Sequence, residues 1–208
     1  MFENVTFRLE NKNDYENVEN MIRDSFYNVY RPGCFEHYLM HNLREDKDFV
    51  KELDIIMELD NKIIGQAAFV KNTLTNQNNN ETINILTLGP ICIANEYKRK
   101  GYGKKLLDYV IDKAKKLGYV AIFLEGNIDF YGKCGFVEAS KFNIFYFGME
   151  ENADCSFFLC KELKSNSLQD FKGIYKAPTV YFIDENKAIE YDKKFPYKEK
   201  LVLPGQLF

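Results

Sequence analysis

The 208-residue sequence contains no apolar run that approaches the length of a membrane span, and its first ten residues lack the apolar core of a signal peptide. Its formal net charge is only −3, which does not fit a chain that binds nucleic acid as a whole. The 5 cysteines are odd in number and form no paired metal spacing, so reduced thiols are the simplest interpretation. These absences predict a cytoplasmic protein with no membrane segment, no nucleic-acid partner and no metal.

The most informative stretch lies between residues 83 and 124. An apolar run at residues 83–93, interrupted by Gly89 and Pro90, is followed by a polar hexapeptide at residues 98–103. A helix is then predicted up to Gly118, because apolar residues recur at intervals of three and four. Those residues are Leu106, Leu107, Val110, Ile111, Ala114 and Leu117. A second apolar run at residues 120–124 completes the order strand, turn, helix, strand, which is typical of a parallel crossover.

The turn of this crossover is a candidate anion site. Gly101 and Gly103 allow a ligand to approach the backbone closely, and the start of a helix carries partial positive charge. Both features suit a diphosphate. A glycine pair before a helix is also often a simple tight turn. A dinucleotide fingerprint would need a third glycine where Leu106 stands, and the sequence has no Walker-type Gly-Lys-Ser/Thr.

The residues around this turn resemble the central motif of the GNAT superfamily, the acetyl-CoA-dependent N-acetyltransferases. The family signature Arg/Gln-x-x-Gly-x-Gly/Ala corresponds to residues 98–103, with Lys98 at the first position. The preceding residues 91–97 are similar to the end of the family's strand, with Asn95 where proline is usual. Residues 130–136 are similar to the family's Tyr-x-x-x-Gly-Phe element. Residues 137–140 and the later strand at residues 156–163 resemble one branch of small bacterial predicted acetyltransferases.

This resemblance implies an α/β fold with a central, splayed, mixed β-sheet flanked by helices. It implies a GNAT-like domain at residues 1–163, and we expect residues 164–208 to be a C-terminal extension that packs on the same domain. It also implies acetyl-CoA as co-substrate. The diphosphate and the pantetheine arm would contact Ile91, Cys92, Ile93, Lys98, Arg99, Lys100, Gly101, Tyr102, Gly103 and Lys104.

The resemblance also implies roles in acetyl transfer. Tyr131 matches the tyrosine that binds the sulfur and protonates the leaving thiolate. Asn127 is a candidate contact for the pantetheine arm, although the family's usual asparagine lies farther from the tyrosine. Glu125 and Glu58 are both candidates for the general base, and Glu125 is preferred because it closes a strand next to the expected splay. A backbone N–H near Cys92 is a candidate for polarising the thioester carbonyl.

The predicted function is acetyl transfer to a primary amine of a small molecule or peptide. The alternative is a non-catalytic module that binds acyl-CoA as a sensor. His37 and His41, one turn apart on a predicted helix, could contact the acceptor or relay a proton, or could simply pack. A homodimer is a further possibility that the sequence leaves open.

The flanking sequence predicts the remaining elements. Strands are expected at residues 4–10, 53–59, 63–70, 143–147, 156–163 and 180–183, and a polar loop at residues 71–81. Helices are expected from Asn13 or Asp14 to about residue 30, at residues 35–46, and from an Asp184 cap to about residue 193.

Overall fold

The computed structural model describes residues 4–150, 153–169 and 171–207. Its strands are β1 Val5–Leu9, β2 Ile55–Leu59, β3 Lys62–Thr75, β4 Thr82–Ile93, β5 Ala121–Glu125, β6 Val137–Glu138, β7 Ile144–Tyr146, β8 Phe158–Glu162 and β9 Gly173–Tyr175. Its α-helices are α1 Tyr15–Phe26, α2 Glu36–Leu43, α3 Tyr102–Lys116, α4 Ile128–Tyr131 and α5 Glu185–Asp192. Within these residues, no helix is both long and apolar enough to cross a lipid bilayer.

Seven strands form a mixed sheet in the order β1-β2-β3-β4-β5-β8-β6, and β7 pairs with β9 in a separate parallel ribbon. The β1–β2, β2–β3, β5–β8 and β6–β8 pairs are antiparallel, whereas β4 and β5 are parallel. The predicted mixed α/β architecture is therefore confirmed.

The chain divides into two compact units, and the first contains residues 4–68, 90–106 and 179–207 among those described. In it, β2 and β3 are joined by a two-residue hairpin whose residues Asp60 and Asn61 have φ values of 50° and 64°. Two positive φ values are typical of a type I′ turn, as the predicted tight hairpin requires. Helix α1 begins after Asp14, but the Asp14 carboxylate binds Arg8 at 2.6 Å instead of capping the helix.

The second unit contains residues 69–89 and 107–178 apart from the positions that are not described. Its core lies on β5, where Ala121, Ile122, Phe123 and Leu124 are all buried, as the unbroken apolar run predicts. Phe123 stacks on Phe158 of β8 with ring centroids 5.7 Å apart. In the part of α3 that belongs to this unit, the buried residues include Val110, Ile111 and Ala114. Leu117 follows α3 and is 45% exposed, so its predicted place on the buried face is wrong.

Several other predicted boundaries differ from the structure. The loop expected at residues 71–81 is shorter, because β3 continues to Thr75 and buries Leu74. The strand expected at residues 180–183 is wrong, since a 3-10 helix at Thr179–Tyr181 follows Pro178. Strand β9 was not predicted. The Asp184 cap of α5 is confirmed, because its carboxylate accepts a hydrogen bond from the Lys187 N–H at 3.1 Å.

The division into a domain at residues 1–163 and an extension at residues 164–208 stays a prediction. Residues 164–178 belong to the second unit and residues 179–207 to the first, and positions 170 and 208 lie outside the described residues. In the first unit, residues 198–207 bind the loop after α1. The Tyr27 hydroxyl donates to the Lys198 carbonyl at 2.9 Å, and the Leu207 N–H donates to the Tyr30 carbonyl at 2.8 Å.

Candidate active site

The glycine-containing turn lies between β4 and α3, as predicted. A 3-10 helix at Asn95–Tyr97 follows β4, and α3 begins at Tyr102. Arg99 has a φ of 61° and Gly101 a φ of 89°, so the backbone passes twice through the left-handed region within three residues. Such a turn directs backbone N–H groups toward one side, and the α3 dipole adds partial positive charge. Lys98, Arg99, Lys100, Gly101 and Lys104 are exposed. This geometry suits a bound phosphate group.

The side chain of Lys98 has a different position from the one expected for a phosphate contact. Its ammonium donates to the carbonyl oxygen of Ser25, near the end of α1, at 2.9 Å. Partial burial lowers the pKa of Lys98. The backbone of Lys98 is therefore part of the turn, while its ammonium binds the end of α1. Lys100 lies with its ammonium 5.5 Å from the centre of the Tyr97 ring.

The end of β4 packs closely on β3. A Cβ atom at Gly65 of β3 would lie 2.6 Å from the Ile93 side chain and 3.2 Å from the Cys92 carbonyl oxygen, so only glycine fits there. Burial raises the pKa of the Cys92 thiol to about 12, which makes an acylated thiol an unsuitable intermediate. Ile91 is half-buried, and Cys92 and Ile93 are buried.

Strand β4 has an unusual backbone conformation at the glycine and proline that interrupt its apolar run. Gly89 has a φ of 152°, a value that favours glycine, and Pro90 follows it. The pairing of β4 with β5 is described at Leu86 and Thr87, just before that point. A glycine and proline at this position are consistent with a local break in the ladder.

In the second unit, Tyr131 ends α4 and its ring lies against Gly126. A Cβ atom at Gly126 would collide with the Cε2 atom of that ring. The ring is also packed edge to face against Phe130 and Phe136, with centroids 4.9 Å and 5.7 Å away. The Asn127 side-chain oxygen caps α4 by accepting from the Asp129 N–H at 2.7 Å. The Tyr131 ring is therefore held in one place by its neighbours on three sides.

The two candidate bases have different surroundings. Glu125 ends β5, is exposed, and accepts a hydrogen bond from the Tyr146 hydroxyl at 2.6 Å. Glu58 is bound by Arg8, whose Nη2 and Nε atoms lie 2.7 Å and 3.1 Å from the same carboxylate oxygen. Arg8 and Glu58 line a polar cavity of about 550 Å³ in the first unit. Arg8 thus binds the Glu58 carboxylate with two donors, whereas the contact described for Glu125 is with a neutral hydroxyl.

Sequence reasoning missed Tyr146 and Tyr175. Burial and the Glu125 carboxylate raise the pKa of Tyr146, and burial raises that of Tyr175. The Tyr175 hydroxyl lies 2.8 Å from the Thr87 hydroxyl on β4. The strand predicted at residues 143–147 contained Tyr146. The contact between Tyr146 and Glu125 depends on the pairing of β7 with β9, which no local sequence pattern indicates.

The two histidines lie in the first unit and have different environments. His37 is fully buried, and its Nε2 lies 3.2 Å from the Asp192 carboxylate without forming a hydrogen bond. Arg23 donates to the same carboxylate oxygen. Burial lowers the pKa of His37 to about 4, so it stays neutral and does not contact an acceptor. The His41 Nδ1 lies 2.9 Å from the Tyr191 hydroxyl, and the His41 side chain is 49% exposed.

Comparison with known proteins agrees with this geometry. A model of the acetyltransferase (GNAT) family matches residues 18–136, which is more than half of the chain. Among curated proteins, the uncharacterized N-acetyltransferase YjhQ of Escherichia coli (strain K12) is 23% identical over 131 residues, which cover 63% of this chain and 68% of YjhQ.

Two solved structures share the fold. The GNAT family N-acetyltransferase YhbS from Escherichia coli, in complex with CoA, has a TM-score of 0.74 and 21% identity, covering 88% of this chain and 94% of YhbS. A GNAT family acetyltransferase from Brucella melitensis, in complex with acetyl-CoA, has a TM-score of 0.65 and 17% identity, covering 86% of this chain and 99% of the other. The chain therefore belongs to the acetyltransferase (GNAT) family and is an acyltransferase.

Proposed function

We propose that the protein transfers the acetyl group of acetyl-CoA directly to a primary amine of a small molecule or peptide. The observation that carries the proposal is the turn before α3, where Arg99 and Gly101 are left-handed and the flanking cationic residues are exposed. The two solved relatives hold CoA or acetyl-CoA, which supports the choice of co-substrate.

The cofactor contacts are assigned mainly to the backbone. The amides of residues 98–104 would bind the diphosphate, with Arg99, Lys100 and Lys104 adding charge. The ammonium of Lys98 would not take part, because it binds the Ser25 carbonyl. The backbone of Ile91, Cys92 and Ile93 would pair with the pantetheine amides, in the manner of an added strand. Asn127 would offer its side-chain N–H₂ group, since its oxygen caps α4.

The chemistry requires two protein side chains that exchange protons with the reactants. Glu125 takes a proton from the substrate ammonium, which leaves a neutral amine. The amine nitrogen forms a bond to the thioester carbon as the carbon–sulfur bond breaks, and a backbone N–H near Cys92 stabilises the developing oxyanion. Tyr131 gives its phenolic proton to the departing sulfur and regains one from the new amide nitrogen. The net products are an acetamide, free CoA and one proton, which Glu125 releases to water.

The test is release of free thiol from acetyl-CoA in the presence of single amines. Suitable probes are spermidine, phenethylamine, kanamycin and trialanine, with Tyr131→Phe as the matched variant. We expect turnover with at least one amine, and a loss of about 10²-fold in kcat for Tyr131→Phe with unchanged acetyl-CoA affinity. Binding of acetyl-CoA without turnover of any amine would instead favour the non-catalytic sensor.

The C-terminal extension is included in the proposal. We propose that residues 164–208 pack on the same domain as residues 1–163. The hydrogen bonds of Tyr27 and Tyr30 to residues 198 and 207 support this for the first unit. The parallel pairing of β9 with β7 supports it for the second.

A further inference from the structure

The Tyr146 hydroxyl donates a hydrogen bond to Glu125 Oε1 at 2.6 Å, and the part of the second unit around it is organised to keep that hydroxyl in place. We infer that Tyr146 is a positioning residue that orients the Glu125 carboxylate for proton abstraction. The inference rests on the proposed function, in which Glu125 is the general base.

The ring of Tyr146 is confined by aromatic side chains. It meets the Phe158 ring edge to face at 5.2 Å and lies tilted against the Phe157 ring at 5.9 Å. It is half-buried, whereas Glu125 is exposed. A confined ring aims its hydroxyl in one direction, so an otherwise mobile carboxylate has a stationary donor.

The backbone of Tyr146 is held by the ribbon with β9. Tyr146 is in register with Tyr175, and the Phe147 N–H donates to the Tyr175 carbonyl at 2.8 Å. At the start of β9, a Cβ atom on Gly173 would lie 2.9 Å from the Thr75 carbonyl oxygen, so a glycine is needed for this close approach. The predicted extension thus contributes to the site through β9, since β9 positions the strand that carries Tyr146.

The hydrogen bond has a defined direction. Burial and the adjacent carboxylate raise the pKa of Tyr146, so its phenol stays protonated and remains the donor at neutral pH. The bond restrains Oε1 of Glu125 and leaves Oε2 for the substrate ammonium. Loss of the hydroxyl should therefore make the carboxylate more mobile.

Two tyrosines of the ribbon interact with the Glu125 charge, Tyr146 of β7 and Tyr175 of β9. Of these two, Tyr146 donates a hydrogen bond to Glu125, whereas the Tyr175 hydroxyl lies beside Thr87. Tyr175 is therefore the matched control for removal of the Tyr146 hydroxyl.

The experiment compares Tyr146→Phe with Tyr175→Phe. Each substitution keeps the aromatic ring and removes one hydroxyl, but the Tyr175 hydroxyl bonds to Thr87 and not to Glu125. The kcat and the KM for acetyl-CoA are measured with whichever of the four amine probes gives turnover. For Tyr146→Phe we expect kcat to fall about tenfold with an unchanged KM for acetyl-CoA, because a misplaced base slows the chemical step and not cofactor binding.

Tyr175→Phe should keep the kcat of the wild type. If Tyr146→Phe also keeps it, Tyr146 has only a packing role and the inference is overturned, while the proposed function stands. If both variants lower kcat equally, the effect belongs to the packing of the ribbon, and the inference is again overturned. Absence of wild-type turnover with every amine overturns the proposed function and this inference together.

Discussion

The ammonium of Lys98 donates a hydrogen bond to the Ser25 carbonyl at 2.9 Å, which joins the turn before α3 to the end of α1 within the first unit. The Ser25 hydroxyl continues this link by donating to the Ile93 carbonyl at 3.2 Å. Lys98 therefore links the proposed diphosphate turn to α1. Lys98 occupies the position where the family signature has Arg or Gln.

Lys98→Met should destabilise the protein. The substitution keeps most of the apolar stem and removes the donor, so we expect the free energy of unfolding in urea to fall by about 1 kcal/mol. Lys100→Met is the matched control, because the Lys100 ammonium only lies near the exposed face of Tyr97. Equal losses of stability in the two variants would contradict the structural role of Lys98.

Gly126→Ala should impair catalysis more than cofactor binding. The added methyl group would collide with the Tyr131 ring, which Phe130 and Phe136 hold on other sides. Such overpacking costs about 1–3 kcal/mol, and displacement of the ring should lower kcat at least tenfold. At Gly132 a methyl group meets only atoms 3.5 Å or more away, so Gly132→Ala is the control. Equal kcat values for the two variants would show that the Tyr131 position is not important.

Asp54 should make stability depend on pH. Its burial, together with the Glu10 carboxylate, raises the pKa of Asp54 to about 8. The folded state therefore holds a proton that the unfolded state releases near pH 4, so stability falls as the pH rises from about 4 to 8. Asp54→Asn lacks this proton, and its free energy of unfolding should fall less steeply, by up to about 1.4 kcal/mol per pH unit. Parallel curves of stability against pH for the two proteins would contradict the raised pKa.

Asn28 should control access to the C-terminal segment. Its side chain donates to the Glu199 carbonyl at 2.9 Å and accepts from the Leu201 N–H at 3.1 Å. Asn28→Gly keeps the left-handed backbone, which has a φ of 61°, and removes both bonds. It also removes the bond that the Asn28 side-chain oxygen accepts from the Gly33 N–H at 2.8 Å, within the loop after α1. We expect trypsin to cleave after Lys198 and Lys200 about tenfold faster, because breaking two hydrogen bonds favours local opening.

The control for this prediction is Asn61→Gly, which removes an asparagine with a φ of 64° from the β2–β3 hairpin. Cleavage after Lys198 at the wild-type rate in Asn28→Gly would mean that other contacts hold the segment.

The central crossover could be predicted from the sequence because its signals are local. The apolar spacing of α3, the unbroken apolar run of β5 and the glycines of the turn each lie within a few residues of one another. Length and flanking residues favour a helix for the long periodic segment and a strand for the short apolar run. The family signature lies on the same residues, so the fold could be predicted from this stretch.

The remaining features depend on contacts between distant parts of the chain. Tyr146 reaches Glu125 because β7 pairs with β9. His37 is buried beside Asp192, a residue of α5 that lies 155 positions later in the sequence. The direction in which the Lys98 side chain points depends on where α1 ends, because its ammonium binds the Ser25 carbonyl. No periodicity encodes such pairings, so the sequence identified the residue types but not their partners.

The most direct test of the central claim is a calorimetric titration of the wild type, Gly101→Ala and Gly148→Ala with acetyl-CoA. Gly101 and Gly148 have φ values of 89° and 84°, so alanine introduces similar backbone strain at both, of about 1–2 kcal/mol. Only Gly101 lies in the proposed diphosphate turn. We predict micromolar binding of about one acetyl-CoA per chain for the wild type and Gly148→Ala, and affinity at least tenfold weaker for Gly101→Ala. Absence of binding to the wild type, or equal affinity in all three proteins, would contradict the assignment of this turn to acetyl-CoA.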